Sequence, residues 1–154
     1  INGLTIYNYA SLRQGGYRAG LEQAGLAYDP ALVREGATTI AAGDTHGASL
    51  LALREPPTAI VCALDLAALG LYRAAEARGL VIGRDLSVLS YDGIPEAATA
   101  TPPLTTYAVD TRAAGARLVK MLFALIRGAS PENLRDTVPA HLIARGSDGR
   151  APNT

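Results

Sequence analysis

Three side chains next to strand-like segments have the chemistry to bind a small polar molecule. Asp92 directly follows segment 86–91, and Asp65 directly follows the apolar segment 59–64. Arg13 lies near the start of a predicted helix, and the planar fork of its guanidinium suits a carboxylate or two neighbouring hydroxyl groups. In open α/β sheets, ligands bind outside the carboxyl ends of the strands, so these three residues are candidates for one binding site.

Each of these residues also has a structural interpretation. Asp65 stands at the N-cap position of a helix predicted over 66–78, so we expect it mainly to cap that helix and only secondarily to line the site. Asp92 could form an Asx-turn with Gly93 alongside any ligand contact. Arg13 could form an exposed ion pair, which contributes little to stability.

The sequence offers no set of residues for catalysis, a metal or a nucleotide cofactor. The single cysteine, Cys62, lies in an apolar segment and is expected to be a small buried side chain, and it excludes an internal disulfide. His46 and His141 are far apart and lack metal-ligand spacing. There is neither a Gly-x-Gly-x-x-Gly motif nor a Gly-x-Ser-x-Gly motif, so we expect no cofactor and no enzyme.

Composition places the chain among globular domains. Apolar residues make up 49% of its 154 residues and charged residues 18%, while 14 basic residues balance 14 acidic ones. A free-standing nucleic-acid binder would carry a basic excess. No run reaches membrane-spanning length, no signal peptide is visible, and a cytoplasmic location fits. Ile1 already has the character of a strand residue, so we expect the chain to be part of a longer protein.

Strands and helices alternate in the manner of βαβ units, which predicts an α/β fold with a parallel sheet between helices. Apolar runs predict strands over 1–4, 31–35, 59–64, 86–91, 104–108 and 136–144. Pro139 interrupts the last of these strands, which we therefore expect at an edge of the sheet. Apolar residues at helical positions predict helices over 11–24, 43–54 and 111–127, the last capped by Asp110, and a run of strong helix formers predicts a helix over 66–78.

Five motifs in a fixed order resemble the effector-binding core of LacI/GalR-type transcription regulators. Together they extend over nearly the whole chain: Arg13-x-x-Gly16-Tyr17, the stretch from Pro57 to Gly70, the strand from Leu86 to Asp92, Pro102-Pro103-Leu104-Thr105-Thr106, and Ala144-Arg145-Gly146-Ser147. The resemblance implies a type I periplasmic-binding-protein-like fold with two α/β subdomains and an effector between them. It assigns residues 1–106 to the C-terminal subdomain, 107–131 to the N-terminal one, and 132–154 to the C-terminal one again.

The same resemblance suggests which residues meet the effector. Arg13 and Asp92 match the effector-binding arginine and aspartate of the family, and Tyr9 lies in the predicted loop before Arg13. Leu64 departs from the family, which usually has a sugar-binding asparagine there, and Thr38 stands where some sugar-binding members have a stacking aromatic residue. These departures predict a more apolar effector, a different pose or weaker binding.

The resemblance further implies a homodimeric repressor core that binds a small, possibly sugar-like metabolite. Operator DNA would be bound only by a helix-turn-helix domain outside this chain, and no membrane is involved. The expected dimer surface contains Leu66, Leu69, Ile94, Ala97 and Ala100. The 111–127 helix, with no subdomain partners here, is expected to pack on another copy or to be poorly ordered. A sugar-transport receptor is the alternative function, and an enzyme is the least supported.

Overall fold

A four-stranded sheet flanked by helices forms the body of the chain, which confirms the predicted α/β class. The computed structural model describes residues 1–150. The strands lie in sequence order, with β1, β2 and β3 parallel and β4 antiparallel at the edge next to β3. The strands are β1 Ala59–Val61, β2 Ser87–Asp92, β3 Thr105–Ala108 and β4 His141–Ile143; the helices are α1 Asn8–Gln23, α2 Ile40–Leu51, α3 Asp65–Glu76, α4 Pro95–Thr99 and α5 Thr111–Ile126.

The amino-terminal segment runs beside β1 without forming a regular strand, so the prediction of a strand over 1–4 is wrong. The amino group of Ile1 donates to the carbonyl oxygen of Val61 at 2.8 Å. The backbone N–H of Ala63 in turn donates to the carbonyl oxygen of Ile1 at 2.8 Å. These two bonds align the start of the chain with the carboxyl end of β1.

The strand predicted over 31–35 is also wrong. A single turn of 3₁₀ helix covers Pro30–Leu32, and the chain becomes extended only after it. The side chain of Asp29 accepts a hydrogen bond from the backbone N–H of Ala31, and proline at the first helical position is compatible with a helix start. A local cap and a fixed proline φ angle therefore outweigh the apolar character of this segment.

In the carboxyl-terminal half, the structure differs from the prediction in the length of the edge strand and in the presence of the short helix α4. The late strand does lie at an edge, but it is shorter than the predicted 136–144, because Pro139 has no N–H to donate to a neighbouring strand. Helix α4 was not predicted. It starts with Pro95 at its first position, where the missing N–H costs no helical bond.

Glycines allow α2 and α3 to pack with their backbones in contact. A Cβ atom on Gly43 of α2 would overlap the backbone of Ala67, and one on Gly70 of α3 would overlap the carbonyl oxygen of Ile40. Below this contact the two helices cover the apolar core, whose largest fully buried apolar side chains are Leu50, Leu71, Leu86, Val88 and Leu104. The close approach of α2 and α3 fixes where α3 begins, and therefore where the residues at the end of β1 lie.

Ser147 joins β2 and β3 from the carboxyl-terminal segment. Its hydroxyl donates to the carbonyl oxygen of Val88 at 2.6 Å and accepts from the backbone N–H of Thr105 at 2.8 Å. The N–H of Val88 also donates to the carbonyl oxygen of Ser147 at 2.7 Å. Ser147 is fully buried, so this residue completes the hydrogen bonding of the two central strands at their amino ends.

Helix α5 projects from this body. The side chain of Asp110 accepts from the N–H of Ala113 at 2.8 Å, which confirms the predicted cap. None of the residues of α5 is buried. Its exposed apolar side chains are Leu118, Val119, Leu122, Phe123, Leu125 and Ile126. The proposal that this face packs on another copy of the chain stays a prediction.

Candidate ligand-binding site

Arg13 lies at the carboxyl end of the sheet, held by one hydrogen bond and two aromatic rings. Its Nη1 atom donates to the carbonyl oxygen of Ala63, two residues beyond β1, at 2.5 Å. The guanidinium carbon lies 4.0 Å from the ring centre of Tyr91 and 4.8 Å from that of Tyr9. Only one N–H donor is used in the hydrogen bond to Ala63, which leaves other donors of the guanidinium for a ligand.

Asp92 ends β2 at the same edge of the sheet as Arg13. Its side chain is partly buried, and burial is the main reason why the pKa of its carboxyl is raised. The charge of Asp65 raises the pKa of Asp92 further, whereas Arg13 and the backbone N–H of Asp65 lower it. A carboxylate in this environment gains from a ligand that donates hydrogen bonds to it, such as a polyol.

Asp65 does not cap its helix, so that prediction is wrong. Leu64 is the N-cap residue of α3, and Asp65 is the first residue inside the helix. The Asp65 carboxylate is fully buried and accepts hydrogen bonds from the N–H groups of Gly93 and Ile94 and from the Thr106 hydroxyl. Because its side chain has no exposed surface, Asp65 does not line the site directly.

Leu64 lies just beyond β1 and Thr38 just before α2, and neither adds a hydrogen bond to the site in the described residues. Leu64 is partly buried between Ala63, whose carbonyl binds Arg13, and Asp65. Thr38 is partly buried just before the N-cap residue of α2. Within residues 1–150, no hydrogen bond links Thr38 to the other candidate residues. Leu64 therefore adds a partly buried apolar side chain, packed against the core, at this end of the sheet.

Tyr9 lies in the first turn of α1 rather than in a loop, because α1 begins at Asn8. Its ring stacks on Tyr7 with ring centres 5.8 Å apart, and it also lies against Gly3 and near the Arg13 guanidinium. Tyr91 was not predicted to belong to the site. An aromatic residue directly before Asp92 at the end of a strand was the available signal, because that position brings the ring to the same sheet edge.

A cavity of about 420 Å³ lies between α1 and the sheet and shares Arg13 and Tyr91 with the site. Its wall is mostly apolar and includes Tyr17, Leu21 and Leu89. Cys62 also borders it, and burial raises the pKa of the Cys62 thiol to about 11, which keeps the sulfur protonated and unreactive near neutral pH. Among residues 1–150, no group of histidine, cysteine or carboxylate side chains could hold a metal ion, and no helix could span a membrane.

Comparison with known proteins identifies the family. Residues 2–147 match the periplasmic binding protein-like domain. The HTH-type transcriptional regulator AglR of Rhizobium meliloti (strain 1021) is 37% identical over 160 residues, which cover 99% of this chain and 44% of the relative. The crystal structure of a regulatory protein of the LacI family from Chloroflexus aggregans matches 96% of this chain and 53% of that one with a TM-score of 0.88 at 29% identity. The chain belongs to the LacI family.

One of the similar solved structures contains a sugar. The complex of the transcriptional regulator CelR with cellobiose matches 96% of this chain and 45% of that chain, with a TM-score of 0.89 and 31% identity. This chain thus spans about half the length of the LacI-family proteins that it matches, and it corresponds to part of the effector domain. AglR and CelR are both transcriptional regulators.

The residues expected at a LacI-family dimer surface fall into two groups in this chain. Leu66 of α3 is 40% exposed, and Leu69, Ile94 and Ala100 are partly buried. Ala97 is fully buried in the core of its own chain, and its inclusion in that surface is wrong. The four accessible residues lie on α3 and on both sides of α4.

Proposed function

We propose that this chain is the effector-sensing part of a LacI-type transcriptional repressor. Arg13 and Asp92 bind a small metabolite at the carboxyl end of the sheet. The observation that carries the proposal is their convergence there, 79 positions apart in sequence, with Arg13 close enough to lower the pKa of Asp92. The guanidinium can donate hydrogen bonds to hydroxyl oxygens of one ligand, and the partly buried carboxylate beside it can accept hydrogen bonds from hydroxyl groups of the same ligand.

The proposed ligand is a sugar-like molecule that carries an apolar group. Asp92 and Arg13 favour hydroxyl groups, and the similar regulator CelR forms a complex with cellobiose, a disaccharide. Leu64 and the apolar cavity wall beside Arg13 favour an aryl or alkyl substituent. Burial of a phenyl ring against such a surface contributes about 1.5–3 kcal/mol when complete.

Ligand titration calorimetry with cellobiose, methyl β-D-glucopyranoside and phenyl β-D-glucopyranoside tests this proposal. We expect phenyl β-D-glucopyranoside to bind most tightly. Arg13→Ala and Asp92→Ala should each weaken its binding about tenfold or more, since each removes a hydrogen bond to a charged group. Arg54→Ala is the matched control, because Arg54 is exposed and forms an ion pair with the likewise exposed Glu55. Equal affinities in all three variants would contradict the assignment of Arg13 and Asp92.

The remaining functions follow from this role. The chain binds operator DNA only as part of a longer protein with a helix-turn-helix domain, and it acts in the cytoplasm without catalysis. Reading the gene upstream of Ile1 tests this point. A helix-turn-helix sequence there supports the repressor, whereas a cleavable signal peptide would identify a sugar-transport receptor.

Self-association is proposed through Leu66, Leu69, Ile94 and Ala100. In the family member, effector binding changes how two such subunits lie relative to each other. Sedimentation velocity of Leu66→Glu tests this surface, with Phe123→Glu as the comparison, because Phe123 lies on the exposed face of α5. Dissociation of Leu66→Glu alone supports the α3 surface. Dissociation of Phe123→Glu alone would assign the contact to α5 instead.

A further inference from the structure

The buried carboxylate of Asp65 bonds to two other elements of the fold and leaves its own helix uncapped. Its Oδ2 atom accepts from the N–H of Gly93 at 2.8 Å and from the N–H of Ile94 at 2.9 Å. Its Oδ1 atom accepts from the hydroxyl of Thr106 in β3 at 2.7 Å. A buried charge is costly unless hydrogen bonds satisfy it, and here both oxygen atoms have donors.

The backbone that Asp65 holds is an unusual turn. Asp92 has a φ angle of 134° and Gly93 one of 76°. A Cβ atom on Gly93 would overlap Ala108 of the neighbouring strand. A residue other than glycine keeps a positive φ angle only where the surrounding structure imposes it. The two N–H groups directly after Asp92 are both bound by Asp65, so this carboxylate is a source of that constraint.

We propose that Asp65 is a positioning residue of the ligand site, which fixes the turn from Asp92 to Ile94 and thereby holds the Asp92 carboxylate at the end of β2. The role of Asp92 toward a ligand rests on the proposed function, whereas the holding of the turn does not. Because Ile94 is the N-cap residue of α4, the same carboxylate also fixes the start of α4 relative to the site.

Two substitutions separate position from charge. In Asp65→Asn, the amide oxygen can accept from Gly93 and Ile94 while the amide nitrogen donates to Thr106, so the geometry is retained without the negative charge. In Asp65→Ala, both N–H groups and the hydroxyl lose their acceptor. Ser147→Ala is the control, since it removes buried hydrogen bonds between β2 and β3 at their amino ends.

Amide hydrogen exchange and carbon-13 titration of Asp92, both by NMR on the full chain, test the proposal. Exchange at Gly93 and Ile94 should become about 10- to 100-fold faster in Asp65→Ala, should stay close to wild type in Asp65→Asn, and should not be selectively faster in Ser147→Ala. Asp65→Asn should also lower the pKa of Asp92, which then faces Arg13 without a second carboxylate.

Three results would overturn the proposal. The first is that Gly93 and Ile94 exchange equally fast in Asp65→Ala and Ser147→Ala. The second is that they exchange as fast in Asp65→Asn as in Asp65→Ala. The third is that the pKa of Asp92 does not change in Asp65→Asn. If Asp65→Ala does not fold, the exchange and the pKa of Asp92 in Asp65→Asn decide. Neither measurement uses a ligand, so a failed sugar titration would not contradict the role of Asp65. Fast amide exchange at Gly93 and Ile94 would likewise not contradict ligand binding by Arg13.

Discussion

The guanidinium of Arg13 lies 4.0 Å from the centre of the Tyr91 ring, one residue before Asp92. A cation over an aromatic face gains about 0.5–2 kcal/mol, with the larger values in desolvated surroundings. Because Tyr91 is the residue before Asp92 in β2, this contact also keeps the positive charge near that carboxylate. The site is therefore arranged around a fixed cation before any ligand enters, which lowers the entropy lost on binding.

Asp92→Asn should stabilise the chain at neutral pH. Because the pKa of Asp92 is raised in the folded state, mainly by burial, folding favours the protonated carboxyl. The stability that Asp92 contributes is thus present below its unfolded pKa and is lost as the pH rises through its folded pKa. Urea denaturation at pH 7 should give a higher midpoint for Asp92→Asn than for wild type, and this difference should shrink toward pH 3.

Asp85→Asn is a control for which we expect the opposite change in stability at neutral pH. Arg84 and the N–H of Val81 lower the pKa of Asp85 to about 2. Its contribution to stability is therefore present above its unfolded pKa and is lost as the pH falls toward 2. Asp85→Asn should lower the urea midpoint at pH 7. A lower midpoint for Asp92→Asn as well would show that the Asp92 carboxylate stabilises the fold, contrary to the expected direction.

Leu64→Asn should change ligand preference toward unsubstituted sugars. The amide adds hydrogen-bonding groups at the end of β1, and the phenyl group of a substituted sugar loses an apolar contact. Calorimetry should show methyl β-D-glucopyranoside binding about tenfold more tightly to Leu64→Asn than to wild type, and phenyl β-D-glucopyranoside binding more weakly. Leu118→Asn, on the exposed face of α5, should change neither affinity. Unchanged affinities in Leu64→Asn would place Leu64 outside the site.

Gly70→Ala should destabilise the fold by about 2 kcal/mol or more. Its methyl group would overlap the carbonyl oxygen of Ile40 and the backbone N of Asp44, so α2 and α3 would have to separate. Gly16→Ala is the matched control, because a Cβ added there in α1 would meet no atom of residues 1–150 within 4 Å apart from its chain neighbours and its own helix backbone. Urea denaturation should show Gly16→Ala up to about 1 kcal/mol more stable than wild type. Equal midpoints for the two variants would contradict the close packing of α2 on α3.

Ser147→Ala should destabilise the fold by about 1–3 kcal/mol. The substitution leaves the N–H of Thr105 and the carbonyl oxygen of Val88 without the serine hydroxyl, and both residues are buried at the amino ends of the two central strands. Ser11→Ala, at an exposed position of α1, should leave the stability unchanged. The difference in urea midpoint measures this effect, and equal midpoints would mean that water replaces the hydroxyl.

The sequence predicted the elements whose stability is local or periodic. The 3.6-residue spacing of apolar residues predicted α5, a run of strong helix formers predicted α3, and the acidic residue before α5 predicted its cap at Asp110. The apolar runs predicted β1, β2 and β3. These features depend on side chains near each other in sequence, so the sequence pattern alone is enough to predict them.

The features that the sequence did not predict depend on contacts between distant residues. Asp65 has the composition of an N-cap, but donors from Gly93, Ile94 and Thr106 reach its carboxylate only after the strands have paired. Likewise, Tyr91 joined the site because α1 places Arg13 over its ring. A capping propensity of about 1 kcal/mol is smaller than the gain from three hydrogen bonds to one buried charge.

The chain leaves the sheet after Ala108 and returns at His141, and these two residues are paired partners in neighbouring antiparallel strands. Residues 109–140, which include α5, thus form an insertion between β3 and β4 whose two ends lie next to each other. Neighbouring antiparallel strands can be joined by a two-residue hairpin loop, so an Asn-Gly turn could replace residues 109–140 without changing the register of β3 and β4. In evolutionary terms, this is a place where segments can be exchanged or inserted while the ligand site stays as it is.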